Sequence, residues 1–232
     1  MSLQQQQHNL HLLWRAGFGA SAEEIPLLAS SDSGKLLARL MERSGGTVKR
    51  LGVPESTEIQ NLVAGKTDGD ATRDAIAMSP EERKQLRLQS AAGIRNLNLL
   101  WMDEMVQSPA QLREKMALFW HGHFACRVLN VAHQEMLLHI IREHALGNFG
   151  ELLSQVSKSA AMLQFLNNQQ NKKQQPNENF AREVMELFTI GRGQYTEQDV
   201  KEAARAFTGW GYTLQGKFVE RPFFHDDGTK TV

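Results

Sequence analysis

Two helix-start signals in the middle of the chain constrain the fold of this sequence more than any other feature. Ser79 is followed by Pro80 and then by Glu82, an order that satisfies exposed backbone N–H groups and favours the helix dipole. Residues 108–111 repeat the signal with another Ser-Pro pair. The sequence therefore predicts a long helix from about residue 80 to 107, followed almost without a linker by a second helix.

Apolar spacing extends the helical prediction along the chain. Within 80–107 the apolar residues recur at three- and four-residue steps, as a core-facing stripe requires. They are Leu86, Ile94, Leu97, Leu100, Trp101 and Met105. Further helices are predicted over about 132–145 and 149–165, around 180–188, and after a capping box of Thr196 and Asp199. Residues 212–224 alternate around Gln215-Gly216, which predicts a β-hairpin. The fold class is therefore all-α, a mainly helical, irregular bundle with a small β-hairpin near the C-terminus.

The chain of 232 residues is long enough for one large domain. Residues 44–78 are rich in Gly, Thr and Asp with weak periodicity, so we expect an irregular insertion there. The polar run 167–177 has too little apolar area to fold alone and is predicted to be a surface loop. Residues 228–232 resemble a turn that leads into an unfinished strand. We therefore expect 1–232 to be a single helical domain that is incomplete at its C-terminus.

Composition excludes several classes of function. The 26 basic and 26 acidic side chains balance, which argues against a general nucleic-acid binder. A single cysteine, Cys126, excludes an internal disulfide and a Cys-rich zinc site. No apolar run approaches the roughly 18 to 20 residues that cross a bilayer, and the first thirty residues lack the apolar stretch of a signal peptide.

Two histidines and two glutamates form the main candidate site. His121, His123, Glu183 and Glu186 together offer nitrogen and oxygen ligands that suit a divalent transition metal such as Zn, Mn or Fe. Residues two apart on an α-helix point about 200° away from each other, so both histidines could face one ion only if the helix breaks at Gly122. The two glutamates are three apart and share a helical face.

The histidines and glutamates of this candidate site could instead have purely structural roles. Arg182 could pair with Glu178 or Glu186 at helical spacing, and His121 could be a hydrogen-bonded, partly buried histidine beside Trp120.

Two further places could bind a ligand. Arg15 precedes the glycine-rich turn 17–19 and could hold an anion, although the glycines are equally explained by the turn itself. His225 and Asp226 could ligate a cation, or belong to an ordinary Asp-Gly turn.

Five segments carry a family resemblance. They are HLLWRAGFG at 11–19, KMALFWHGHF at 115–124, NENFARE at 177–183, TEQDV at 196–200 and FTGW at 207–210. Together they resemble the bacterial domain-of-unknown-function family numbered eighteen hundred. The resemblance implies a mostly helical bacterial protein that is usually longer than this chain and has no established activity. Members are often exported, so the resemblance implies a periplasmic or exported location. A His-Asp pair followed by glycine is typical of that family, which favours His225 and Asp226 as site residues.

Two functions are consistent with these patterns. The first is a metal-dependent enzyme of the cell envelope with His121 and His123 as ligands, Glu183 or Glu186 as ligand or general base, and Arg15 orienting an anionic group. Its reaction is undetermined. The alternative is a non-catalytic interaction or assembly module with a protein partner, in which the histidines are structural.

Overall fold

The computed structural model describes residues 3–64, 66 and 79–232. The α-helices of these residues are α1 (Leu3–Ala16), α2 (Ser33–Ser44), α3 (Pro54–Val63), α4 (Pro80–Gln107), α5 (Gln111–Phe124), α6 (Val131–His144), α7 (Phe149–Lys158), α8 (Ala160–Phe165), α9 (Glu178–Glu183) and α10 (Glu197–Ala206). Three 3-10 turns (Ile25–Ala29, Asn168–Gln170 and Pro222–Phe224) and a π-helical segment (Val184–Thr189) connect them. Strands β1 (Trp210–Tyr212) and β2 (Phe218–Glu220) form an antiparallel hairpin. The predicted fold class, a helical bundle with a C-terminal hairpin, is confirmed.

Two of the predicted helix starts are confirmed in detail. Ser79 Oγ accepts a hydrogen bond from the backbone N–H of Glu82 at 3.2 Å, and the Glu82 carboxylate accepts one from the N–H of Ser79 at 2.7 Å. Thr196 and Asp199 form the same reciprocal box at the start of α10. Helix α5 differs, because it begins after Ala110, which has no capping side chain. Two helices thus abut as expected, with only residues 108–110 between them.

The buried face of α4 is narrower than the periodicity predicts. Ser90, Gly93, Leu97 and Trp101 are buried, whereas Leu100 is 41% exposed. The buried residues lie in the middle of the inward-facing side of the helix, and Leu100 lies at the edge of that side.

A buried ion pair joins α5 to α6. The guanidinium of Arg142 and the carboxylate of Glu114 are both fully buried, with Nε to Oε2 at 2.8 Å and Nη2 to Oε1 at 2.9 Å. Trp101 on α4 donates its indole N–H to Glu114 at 3.1 Å, and Arg142 also bonds Glu104 and the backbone carbonyl of Lys49. Three helices and one loop therefore meet at one charged group.

The main apolar core surrounds this pair. Its fully or nearly fully buried members come from α4 through α9 and from the connections between these helices. They include Leu97, Trp101, Ala117, Phe124, Val131, Leu137, Ile141, Leu152, Val156, Met162, Leu163 and Phe180. A separate small cluster of Leu13, Ala16, Leu28 and Leu40 holds the N-terminal elements together.

Helix α3 lies inside the segment 44–78 for which an irregular insertion is predicted, so the prediction missed this helix. Pro54 occupies its first turn, where a missing N–H costs nothing. The helix packs closely on α4 at Gly93, where an added Cβ would lie 2.8 Å from the Cβ of Glu55. Tertiary packing therefore stabilises a helix whose own periodicity is weak. The remainder of that segment, residue 65 and residues 67–78, lies outside the described residues.

The helix predicted over 149–165 is two helices. Ser159 has extended backbone angles, ends α7 and caps α8 by accepting a hydrogen bond from the N–H of Met162 at 3.2 Å. Serine is favoured at this position because its hydroxyl can form hydrogen bonds with nearby backbone groups.

The hairpin turns at the predicted place. Gly216 has a φ of +78°, a conformation that favours glycine, and Thr213 accepts its N–H at 2.9 Å. The turn packs on the imidazole of His133 in α6, whose Nδ1 lies 3.0 Å from Gln164 Oε1 and whose ring is 5.3 Å from that of Tyr212.

No helix within the described ranges is long and apolar enough to cross a membrane.

Replacing Arg142 by methionine should destabilise the fold strongly. The variant removes both hydrogen bonds that Arg142 donates to the buried Glu114 carboxylate and leaves only the cation of Arg113, with its Nε 3.6 Å away. Loss of a buried partner of this kind typically costs about 3–5 kcal/mol. Urea unfolding would measure it. Glu104→Gln is the matched control, because Glu104 is a more exposed partner of the same arginine and should cost less than about 1 kcal/mol. Equal effects of the two substitutions would show that burial of the Arg142–Glu114 pair is not what matters.

Acidification should weaken the contact between α6 and the hairpin through His133. Burial lowers the pKa of His133 below its usual 6.5, and the hydrogen bond with Gln164 only partly opposes this. The unfolded chain then takes up a proton at a higher pH than the folded chain does. Stability is therefore complete above about pH 6.5 and falls as the pH drops below it.

The measurement compares thermal unfolding at pH 7.5 and 5.5 for the wild type and His133→Phe. The variant should lose less stability on acidification than the wild type. His8→Phe, at an exposed position, should behave like the wild type. An unchanged loss in His133→Phe would refute this assignment.

Candidate functional site

Helix α5 runs without interruption through Gly122, so the break needed for both histidines to face one ion is not present. His121 lies against Trp101, with ring centroids 5.2 Å apart, and burial lowers its pKa. His121 is therefore partly buried, as the structural alternative predicts, but it packs on Trp101 and not Trp120, and it forms no hydrogen bond with another described side chain.

His123 points in another direction, towards the π-helical segment. Its Nε2 lies 3.1 Å from the carbonyl oxygen of Phe188, so this nitrogen carries the proton and donates it. Rings surround the imidazole on several sides: Phe119, Trp120, Phe124, Phe149 and Phe188. Helix α5 is thereby fastened to the segment that follows α9.

The two glutamates are separated by a change of helix type. Helix α9 ends at Glu183 and the π-helical segment begins at Val184, so the three-residue spacing no longer has α-helical geometry. Glu186 accepts a hydrogen bond from Tyr195 at 2.7 Å and pairs with Arg192, and these bonds hold its pKa below the usual value. Glu183 is half-buried, and its carboxylate bonds to no other described residue.

Arg182, next to Glu183, forms one of the two ion pairs that the sequence suggested for it, the pair with Glu178. Arg182 pairs with Glu178 at 3.1 Å and with Glu197 at 2.7 Å, which ties α9 to the start of α10. The other alternative, a pair with Glu186, does not form.

His225 and Asp226 have different partners from each other. His225 donates from Nδ1 to the backbone carbonyl of Thr208 at 2.8 Å, so in a neutral ring Nε2 is the nitrogen with the lone pair. Asp226 forms two bonds with Arg205, at 2.9 and 3.2 Å, and these bonds are the main reason that its pKa falls to about 2. His225 also lines a cavity of about 350 Å³, together with Glu220 and Asp227.

Arg15, near the end of α1, is exposed and has no hydrogen bond or ion pair with another described residue. Across the part of the chain that the structure describes, no three His, Cys, Asp or Glu side chains are grouped closely enough to hold one metal ion.

The polar run 167–177, predicted to be a surface loop, contains two buried residues, and that prediction is wrong for them. Asn168 is fully buried and donates to the carbonyl of Phe207 at 3.2 Å. Asn171 is 1% exposed and donates to Asn168 and to the carbonyl of Ala204. These amides donate hydrogen bonds to backbone carbonyls at the end of α10, which apolar side chains cannot do. Composition alone gave no signal for this role.

Sequence reasoning also missed a groove at the N-terminal end of the molecule. This N-terminal groove, of about 820 Å³, lies between the end of α1, the turn Ile25–Ala29, α2 and the junction of α4 with α5. Its floor is apolar and belongs to the small N-terminal core. The floor residues are Leu13, Leu28, Leu36 and Leu40.

Hydrogen bonds from two amide side chains fix the walls of the N-terminal groove. Asn9 is fully buried and donates to the carbonyls of Leu28 and Ser31, at 2.8 and 2.9 Å. Gln111 accepts the N–H of Phe18 at 3.2 Å and donates to the carbonyls that end α4. The groove is therefore held open by bonds within the fold.

The mouth of the N-terminal groove is apolar and carries positive charge. Leu27 is 64% exposed and Val106 is 77% exposed. Arg39 and Arg43 line the same groove and bond to no other described residue. The carboxylate on the lining is that of Glu24, and it caps the N–H of Ser21 at 2.9 Å.

Comparison with protein-family models gives a match over residues 11–232 to the family described as "Protein of unknown function (DUF1800)". Searches of curated proteins and of solved structures returned no match. The matched span starts within α1 and includes the later helices, the hairpin and every residue that lines the N-terminal groove. The chain therefore belongs to this family of unknown function.

Proposed function

We propose that this domain is an interaction module that takes a helical segment of a partner protein into the N-terminal groove. The observation that carries the proposal is the pair Leu27 and Val106, large apolar side chains left mostly in water at the mouth of an apolar-floored groove. Exposed apolar patches of this kind mark contact sites more often than chance exposure does. Burying such side chains against a partner would gain about 1.5–3 kcal/mol each.

A helix suits the groove better than an extended peptide does. Its described walls are helices and turns, so they present no strand edge to which a peptide could add. An amphipathic helix satisfies its own backbone hydrogen bonds and lays apolar side chains at i, i+3, i+4 and i+7 into such a groove.

Three of the side chains considered as ligands or catalytic groups are engaged in ways that favour a structural role. His123 holds the carbonyl of Phe188, Glu186 holds Tyr195 and Arg192, and Asp226 holds Arg205. A metal or substrate would have to displace these bonds.

A displayed library of amphipathic helices of about 15 residues would test the module, since helices of that length can begin to hold their own structure. Selected helices should bind the wild type. Leu27→Glu and Val106→Glu should each weaken this binding at least about tenfold, because a carboxylate at the mouth would have to be desolvated. The affinities can be measured by fluorescence polarisation.

Leu187→Glu is the control, because Leu187 is 56% exposed on the π-helical segment and is not part of the groove lining. It should bind like the wild type. The proposal fails if Leu27→Glu and Val106→Glu both bind the selected helices with full affinity. It also fails if Leu187→Glu loses as much affinity as these two variants do.

Metal-dependent chemistry is the second candidate, and the state of His225 favours it. A histidine whose Nδ1–H is held by a backbone carbonyl presents Nε2 as an oriented lone pair, the arrangement found in metal-bound histidines. Carboxylates of Glu220 and Asp227 line the same cavity. The sequence-based assignment, with His121, His123 and Glu183 as ligands and Arg15 orienting an anion, is the competing location for the same chemistry.

Calorimetric titration with Zn²⁺ would test this second candidate. Stoichiometric binding that is lost in His225→Ala, with normal folding by circular dichroism, is the expected result. His11→Ala, at an exposed position on α1, should bind as the wild type does. If Zn²⁺ binding is lost in His121→Ala or Glu183→Ala but not in His225→Ala, the metal site lies at α5 and α9 and not at His225.

A further inference from the structure

We infer that the N-terminal groove selects an acidic partner helix, one whose apolar face is flanked by two carboxylates a single turn apart. The inference rests on the proposed interaction function and names the chemistry of the partner. It comes from the positions of Arg39 and Arg43 on α2 and from the charge of the groove lining.

Arg39 and Arg43 are four residues apart on one helix. Residues at that spacing lie on the same face with their Cβ atoms about 6 Å apart, and both arginines line the groove. Leu36 and Leu40 come from the same helix and form part of the groove floor. A single helix therefore supplies both an apolar surface and a line of positive charge beside it.

Both arginines are exposed and form no hydrogen bond or ion pair with the rest of the described chain. Elsewhere in the fold, Arg142, Arg182 and Arg205 are each held by carboxylates. The two groove arginines are therefore available to a ligand, and guanidinium groups bind carboxylates with two parallel hydrogen bonds.

The surroundings of the groove strengthen the preference for negative charge. The carboxylate of Glu24 is already used to cap the N–H of Ser21. The ammonium of Lys115 lies 5.0 Å from the centre of the Phe18 ring, and Phe18 lines the groove. The positive charges thus outnumber the negative ones around an apolar floor, and complementary charge favours an acidic partner.

The geometry sets the spacing of the partner's acids. Two carboxylates at i and i+4 of a docked helix are also about 6 Å apart and match the two arginines, if the helices run side by side. Such pairs lie at the rim of the contact, where they contribute more to selectivity than to total affinity. The apolar side chains of Leu27 and Val106 still provide most of the binding.

The test uses two synthetic helices with the apolar face of a groove-binding helix from the library. One carries Glu at the two rim positions and the other carries Gln. At low salt the Glu helix should bind the wild type roughly five- to tenfold more tightly than the Gln helix does, and the difference should shrink at high salt. In the double variant Arg39→Gln, Arg43→Gln the two helices should bind equally.

Arg95→Gln is the matched control, because Arg95 is an exposed arginine of α4 outside the groove lining. It should keep the preference for the Glu helix. Both substituted arginines are exposed, so the double variant should fold normally, as circular dichroism can verify.

Three results would overturn the inference. Equal binding of the two helices to the wild type refutes the acidic partner and leaves the interaction function standing. Failure of both helices to bind refutes the interaction function as well. Self-association of the wild type that Leu27→Glu abolishes would assign the groove to a second copy of the chain.

Discussion

The buried pair of Arg142 and Glu114 is the interaction on which the rest of this structure depends. Both charged groups are withdrawn from water, so each is tolerable only while the other, the indole N–H of Trp101 and the carbonyl of Lys49 stay in place. This requirement fixes α4, α5 and α6 relative to one another, because a small shift of any of them would leave a buried charge without its partner. Apolar packing alone would tolerate such shifts more easily, since it has no direction.

The positions of the candidate ligands follow from that frame. Helix α5 is held at one end by Glu114 and at the other by His123, which bonds the carbonyl of Phe188, and the helix is unbroken at Gly122. The imidazoles of His121 and His123 are therefore directed to different neighbours. The same α4–α5 junction forms one wall of the N-terminal groove, where Gln111 bonds the backbone of Phe18. The frame that separates the two histidines thus also builds the surface that we propose for partner binding.

Local chemistry explains why some features could be predicted. The capping boxes at Ser79 and Thr196 and the glycine turn at Gly216 depend on residues within four positions of each other, and all three are present. Predictions that needed distant neighbours were less successful. Asn168 and Asn171 lie in a polar run that composition assigns to the surface, but the end of α10 has carbonyls that need donors, and only folding brings them together. Helix α3 was missed because its packing on Gly93 contributes more than its own weak periodicity.

The long helix α4, two helix caps, the hairpin turn and the family pattern were determined by the sequence itself, because each arises from residues close together in the chain. The tertiary structure decided which side chains meet. It paired Asp226 with Arg205, bonded Nδ1 of His225 to the carbonyl of Thr208, and changed the helix type between Glu183 and Glu186. It also placed Arg39 and Arg43 on the lining of a groove that no local sequence pattern predicts. The physical reason is that hydrogen bonds and ion pairs act over a few ångströms in space. The partners that they join lie far apart in the chain, and the spacing of apolar residues does not reveal which distant residues will meet.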